Sequence, residues 1–263
     1  MFFRSRRRRK LFDKPITEAE RQSVAQGLWQ FPHLPAERQD ELIRRCRVLL
    51  SEKHWEGCKG FAITEEVKWT IAAAASLCIP LGADWYFDKT SSVLVYPSGY
   101  VAKYDPGVNS HFELGGEFAR SGETIYRGPV IVNWDDVLEA SRGPNDGHSL
   151  AIHEFSHQLD LVNGPHADGL PPLPNDVDAD AWFEAMQVEF SHARKMVHRG
   201  HNIYMDDYGL SQLSEFFSVG SEHFFQTPHD FAYYHPGVFD RLAEFYRVDP
   251  REWLPDQSKH LRR

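Results

Sequence analysis

The chain has 263 residues, 41% hydrophobic and 25% charged, which is typical of a globular protein with one or two domains. Six of its 29 basic residues lie between Arg4 and Lys10, so 23 basic residues stand against 38 acidic ones elsewhere. This excess of acidic residues argues against nucleic acid as the main partner, because phosphate binding needs a basic surface.

The N-terminal residues predict neither a secretory signal nor a membrane anchor. No apolar run follows the basic cluster, so we predict a disordered basic tail over residues 1–14, with contact between Arg6–Arg9 and an anionic surface as the alternative. The longest apolar run, Ile71–Leu81, is too short for a membrane helix. Three cysteines without a CxxC pair favour reduced thiols and therefore a cytoplasmic protein.

The pattern of apolar residues and capping signals predicts helices early and late in the chain and strands between them. Helices are expected from Thr17 to about Gln30, from Pro35, from Thr64 to Pro80, near Ser149, and at Ala179–His198, Ser211–Gln226 and Pro236–Tyr246. Strands are expected in a hairpin of Ser92–Tyr96 with Tyr100–Tyr104, at Glu123–Arg127 and at Pro129–Trp134.

No composition shift divides this pattern into independent units. We therefore predict a single α+β domain over residues 15–255, in which helices outnumber strands. Residues 15–90 form its helical N-terminal part and residues 91–255 its catalytic part, and a short tail follows at 256–263.

The chemistry of the chain is concentrated in an HExxH motif. His153 and His157 are four residues apart, so on a helix both imidazoles lie on one face and can reach a single zinc ion. Glu154 follows the first of them, and its carboxylate suits a general base that takes a proton from zinc-bound water. The alternative is a helix with two histidines on its surface.

A catalytic zinc ion usually keeps three protein ligands. The arrangement with a third histidine six residues after the second is excluded, because Asn163 occupies that position. The helix predicted at Ser211–Gln226 offers Glu215 and Glu222, seven residues apart and therefore on one face. Either acid could be the third ligand, and the alternative is that both are exposed.

These motifs resemble the Mlc titration factor A family of bacterial zinc metallopeptidases. The residues that carry the resemblance are His153–Asp160, Asn163–Gly164 and Ser214–Phe225, with further matches at Trp134, Gly147–His148, Phe245–Tyr246 and Asp249–Pro250. The resemblance extends from about residue 15 to 255. It implies a mostly helical, zincin-like fold similar to the catalytic domain of anthrax lethal factor, with a small mixed β-sheet beside the HExxH helix.

The resemblance also implies roles for individual residues. By motif position, the third zinc ligand is Glu215, and Tyr208 helps to stabilise the oxyanion as a phenol donor. Glu222 and Asp160 are then candidates to orient a ligand histidine. For Tyr208 the alternative is a loop residue without a catalytic part.

Members of this family are implied to be cytosolic aminopeptidases that also bind the glucose repressor Mlc. We therefore predict a zinc-dependent metallopeptidase, with one Zn²⁺ per chain, that acts as an aminopeptidase on short peptides. Pro129–Trp134 is expected to be an edge strand to which an extended substrate adds, or else a core strand. The alternative function is a non-catalytic regulator that sequesters a repressor protein and has a structural or vestigial zinc site.

Overall fold

The fold comes from a computed structural model, which describes residues 2–98, 122–124 and 128–258. This part of the chain contains ten helices and four short strands. The helices are α1 (Phe2–Phe12), α2 (Glu18–Gly27), α3 (Ala36–Glu52), α4 (Glu65–Leu77), α5 (Trp134–Ser141), α6 (Leu150–Asp160), α7 (Ala179–His198), α8 (Leu213–Gln226), α9 (Pro228–Tyr234) and α10 (Pro236–Tyr246). The strands are β1 (His54–Gly57), β2 (Ser92–Tyr96), β3 (Gly122–Thr124) and β4 (Val130–Asn133). The predicted α+β fold, mostly helical, is confirmed.

The helices begin where the sequence places capping residues. Thr17 forms a capping box with Glu20 at the start of α2, and the Thr64 hydroxyl accepts a hydrogen bond from the backbone N–H of Val67 in α4. Helices α7 and α10 have the predicted bounds. Local signals were therefore sufficient to place these elements.

The four strands form one small mixed sheet in the order β1-β2-β4-β3. Strands β1, β2 and β4 are parallel, with Trp55 beside Val93 and Val95 beside Val132, and β3 runs antiparallel to β4. Strand β1 was not predicted. The expected strand Tyr100–Tyr104 and residues 125–127 lie outside the described residues.

The prediction that Pro129–Trp134 forms an edge strand is wrong. Strand β4 is hydrogen-bonded to β2 on one side and to β3 on the other, so both of its edges are occupied. Trp134 is also not part of the strand, because the Asn133 side chain accepts a hydrogen bond from the Asp136 N–H and starts α5.

The prediction of a disordered tail over residues 1–14 is also wrong, since most of this segment forms α1. Arg8 is buried, forms ion pairs with Glu52 and Asp88, and lies 4.4 Å from the centre of the Tyr86 ring. These partners lie far along the chain from Arg8, so the charge run alone could not reveal them.

Three helices, α4, α6 and α8, form the centre of the molecule, and nearly all their residues are buried. Helix α6 packs on α4, α8 and strands β3 and β4. A helix buried on every side is normally apolar, yet α6 and α8 bury polar and charged side chains against each other. None of the helices among the described residues is both long enough and apolar enough to cross a membrane.

We predict that, in the loop before α6, Gly143 can be replaced by alanine without loss of stability and Gly147 cannot. Gly147 has φ +99°, and a Cβ there would lie 2.1 Å from Nδ1 of the buried His223. Gly147→Ala should lower the free energy of unfolding by about 2 kcal/mol or more, because it adds backbone strain and overpacking. Gly143→Ala is the matched control, since its Cβ would meet nothing within 4 Å. Urea denaturation measures both, and equal stabilities would contradict the prediction.

Candidate metal centre

The centre lies between two helices whose polar faces meet in the core. Helix α6 presents His153 and His157 one turn apart, and α8 presents Glu215, Ser218 and Glu222 at spacings of three and four residues. His153 contacts Glu222, whereas His157 contacts Ser218 and Glu215. The two helices therefore run antiparallel.

Three atoms of this cluster converge on one point. Nε2 of His153 lies 3.2 Å from Nε2 of His157, and Oε2 of Glu215 lies 3.1 Å from the first and 3.2 Å from the second. A tetrahedral ion with bonds of about 2.0–2.1 Å separates its ligand atoms by about 3.3 Å. The group His153, His157 and Glu215 is buried and could hold a metal ion, and its two imidazoles and one carboxylate suit zinc.

The other ring nitrogen of each histidine also has a partner on α8. Nδ1 of His153 lies 2.7 Å from Oε1 of Glu222, and the other Glu222 oxygen accepts a hydrogen bond of 2.6 Å from the Ser149 N–H. Glu222 therefore lies beside the first histidine, outside the converging triangle. Such a carboxylate fixes the orientation of the ring and leaves Nε2 available to a metal.

Ser218 is a site residue that the sequence reasoning missed. Its hydroxyl lies 3.1 Å from Nδ1 of His157. Ser218 therefore fixes the orientation of the His157 ring, as Glu222 fixes that of His153. The signal was present, because Ser218 lies three residues after Glu215 on the same helical face. Serine is too common in helices to be chosen on spacing alone.

The prediction that Asp160 orients a histidine is wrong. Its Oδ2 atom accepts a hydrogen bond of 2.8 Å from the Gly169 N–H, and the partner of His157 is Ser218 instead. Gly169 has φ +78°, and a Cβ there would lie 2.7 Å from the Leu213 carbonyl oxygen at the start of α8. Asp160 therefore ties the loop between α6 and α7 against the end of the site helices.

Burial and ion pairing oppose each other in the metal-free cluster. Burial alone would raise the pKa of the Glu215 carboxyl, but hydrogen bonds from His153 and His157 outweigh it and hold this pKa well below its usual range. Burial alone would lower the pKa of His153. The negative charges of Glu222 and Glu215 outweigh this effect, so the pKa of His153 lies well above its usual value. A metal ion must therefore displace a proton from the cluster.

The two predicted catalytic residues differ in burial. Glu154 is buried in α6 next to His153. Tyr208 is 58% exposed on the 3-10 turn Asp207–Leu210, and its ring centre lies 6.1 Å from that of His153. Gly209 allows this turn to pack closely on α8, since a Cβ there would lie 3.1 Å from Val219. The structure thus brings the three predicted ligands together and places the Tyr208 ring near His153, and Glu154 follows His153 in α6.

A buried pair of histidines with a carboxylate from a second helix is the ligand set found in zinc metallopeptidases. The family model described as glucose-regulated metallo-peptidase M90 matches residues 2–247. The chain belongs to this family, and the match includes α1, which the sequence reasoning left out.

Individual relatives agree with this assignment. Mlc titration factor A from Yersinia pestis is 30% identical over 81% of this chain and 78% of its own length, and the protein of that name from Yersinia pseudotuberculosis matches equally well. An uncharacterized protein of Synechocystis sp. is 26% identical over 93% of this chain and 89% of its own length. The resemblance inferred from the motifs is confirmed.

We predict a graded loss of metal affinity in three variants of α8. Glu215→Gln removes a ligand and should lose the most, Glu222→Gln should lose about 10–100-fold, and Ser218→Ala should lose less, because it removes a neutral partner. Competition with a chromophoric zinc chelator measures these affinities. Glu184→Gln, on the exposed surface of α7, is the matched control. A larger loss in Glu222→Gln than in Glu215→Gln would show that Glu222 is the ligand.

We predict that Asp160 makes the metal-free protein less stable as the pH rises. Burial raises the pKa of this carboxyl to about 7 from its usual 3.8. Between these pH values the unfolded chain loses the proton and the folded chain keeps it, so stability falls with rising pH. Since one pKa unit corresponds to about 1.4 kcal/mol, Asp160→Asn should be more stable than the wild type by up to a few kcal/mol at pH 8, and by much less at pH 4. Chemical denaturation at both pH values tests this, and an equal effect at both would contradict it.

Proposed function

We propose that this member of the metallopeptidase family is a zinc-dependent aminopeptidase that hydrolyses short peptides. The observation that supports it most is the triangle of His153, His157 and Glu215 atoms, with the buried carboxylate of Glu154 beside it. Three ligands leave a fourth position open, as in catalytic rather than structural zinc sites. A purely structural site would have no use for Glu154.

Different residues of the site have different roles in the proposed reaction. His153, His157 and Glu215 would hold a zinc ion, which would supply Lewis-acid activation of the scissile carbonyl and of water at neutral pH. Glu154 takes a proton from the attacking water and delivers it to the leaving amine. Glu222 and Ser218 keep the two imidazoles in the orientation that points Nε2 at the ion.

Tyr208 is the candidate for stabilising the oxyanion. Its ring centre lies 6.1 Å from that of His153, and a phenol there can donate a hydrogen bond to the negative oxygen that develops on the carbonyl.

Partner binding is a second candidate function of the same chain. Two relatives carry the name Mlc titration factor A, which favours an Mlc-like repressor protein as a partner. Both functions fit a cytoplasmic protein, and the three cysteines are free thiols, as that compartment favours. The acidic composition argues against nucleic acid as the main partner.

The test is Glu154→Gln with a panel of short peptides, each with a free and with a blocked N-terminus. We expect this variant to bind zinc with the stoichiometry of the wild type and to lose at least about 10²-fold in kcat, because the general base is gone. Glu184→Gln should keep full activity.

Each outcome separates the candidate functions. Wild-type turnover by Glu154→Gln would refute the general-base role, and cleavage of blocked peptides alone would refute the aminopeptidase. If the wild type with bound zinc cleaves no peptide but captures a repressor protein, the regulatory function replaces the catalytic one.

A further inference from the structure

A basic pocket lies where the end of α7 meets the turn that carries Tyr208, and it has no part in the mechanism above. It has a volume of about 610 Å³ and is formed at the end of α7 and by the 3-10 turn Asp207–Leu210. Its lining residues are Arg194, Lys195, Val197, His198, Arg199 and Leu210. Helix α7 ends here because Gly200 adopts φ +81°, so consecutive basic side chains surround one concave surface.

The basic side chains of this pocket have Asp206 and Asp207 as acidic neighbours at the start of the turn, but none of the three charged ones forms an ion pair with them. Arg194, Lys195 and Arg199 are exposed, and none of the ion pairs found among the described residues includes any of them. The chain as a whole has a net charge of −9. Cations favour a helix C-terminus, which explains a basic residue there, but not a concave pocket lined by several of them.

The pocket and the metal centre share two neighbouring elements, the turn Asp207–Leu210 and helix α8. Leu210 lies on the same four-residue turn as Tyr208, whose ring faces His153. On the other side, the Arg194 guanidinium lies 5.4 Å from the centre of the Phe190 ring, which itself packs at 5.4 Å against Phe216, the residue after Glu215. Leu210 follows Tyr208 by only two residues, and an extended peptide advances about 3.3 Å per residue, so one peptide can contact both ends of this turn.

We propose that this pocket binds acidic side chains of the peptide substrate, a few residues from the bond that is cleaved. The inference rests on the proposed peptidase function and adds a substrate preference to it. Lys195 and Arg199 supply the charge, and Arg194 supplies a guanidinium held in place by Phe190. Carboxylates delivered by a peptide chain complement this charge.

The surroundings favour a peptide over other anions. A nucleic acid or a membrane would extend far beyond one pocket and meet the acidic remainder of the chain, which would repel it. A peptide needs only two or three carboxylates at one place. Leu210 adds an apolar wall that suits a peptide backbone and its aliphatic side chains.

The experiment measures binding without turnover. The full-length, zinc-loaded Glu154→Gln variant is titrated into two rhodamine-labelled short peptides that differ only in having glutamates or glutamines near both ends, and fluorescence anisotropy gives the Kd. We expect the glutamate peptide to bind more tightly at low salt, and this advantage to shrink as salt screens the charges. Adding Lys195→Gln and Arg199→Gln should weaken binding of the glutamate peptide by about fivefold to tenfold.

A second basic pocket provides the matched control. Arg6, Arg7, Lys10, Leu11 and Lys14 line a pocket of about 570 Å³ on α1. Arg6→Gln with Lys10→Gln removes the same number of exposed charges there and should leave the affinity for the glutamate peptide unchanged. Circular dichroism of both double variants shows whether they are folded, and the comparison of the two peptides on one variant does not depend on the fraction folded.

Three results would overturn the proposal. The first is equal affinity of the protein for the two peptides, and the second is an equal loss of affinity for the glutamate peptide in both double variants. The third is stronger competition by duplex DNA or phosphatidylserine vesicles than by the unlabelled glutamate peptide. An enzyme that cleaves no peptide would refute the proposed function, whereas loss of the glutamate preference in Lys195→Gln with Arg199→Gln would still support the pocket. The two failures are therefore distinguishable.

Discussion

The structure depends on the contact between the polar faces of α6 and α8 in the middle of the core. Buried ionisable groups are costly unless each finds a partner, and here they are partnered in a ring. Glu215 accepts from both histidines, Glu222 binds the far side of one imidazole, and Ser218 binds the far side of the other. The same ring of contacts sets the antiparallel register of the helices and aims two nitrogens and one oxygen at a common point.

The surrounding elements make this contact possible by fixing both ends of α6. At its start, Gly147 lets the preceding loop approach His223, and the Ser149 N–H binds the second oxygen of Glu222. At its end, Asp160 binds Gly169 and thereby ties the following loop against α8. The ionised carboxylate of Asp160 lowers the stability of the fold, since it is buried without a cationic partner. Its hydrogen bond to Gly169 fixes the position of the loop.

The extent to which the sequence predicted this arrangement depends on the range of the interactions. Helices α7 and α10 and the pair His153 and His157 follow from periodicity and spacing within a few residues. Strand β1 has no run of branched residues and exists because β2 pairs with it, and α1 depends on Arg8 contacts with residues 44 and 80 positions away. The choice between Glu215 and Glu222 needed the resemblance, because both lie on one helical face and only the packing of α8 on α6 separates them.

The division between buried ligands and an exposed rim explains where substrate preference must arise. His153, His157 and Glu215 are each at most 8% exposed, so they present little surface to a substrate beyond the converging atoms. Tyr208, at 58% exposed, marks the side from which the centre is reached, and the turn that carries it also forms a wall of the basic pocket. Changes in the end of α7 can alter this rim without disturbing the packed ligands. Under the proposed function, substrate selection is therefore expected at this rim and not at the packed ligands.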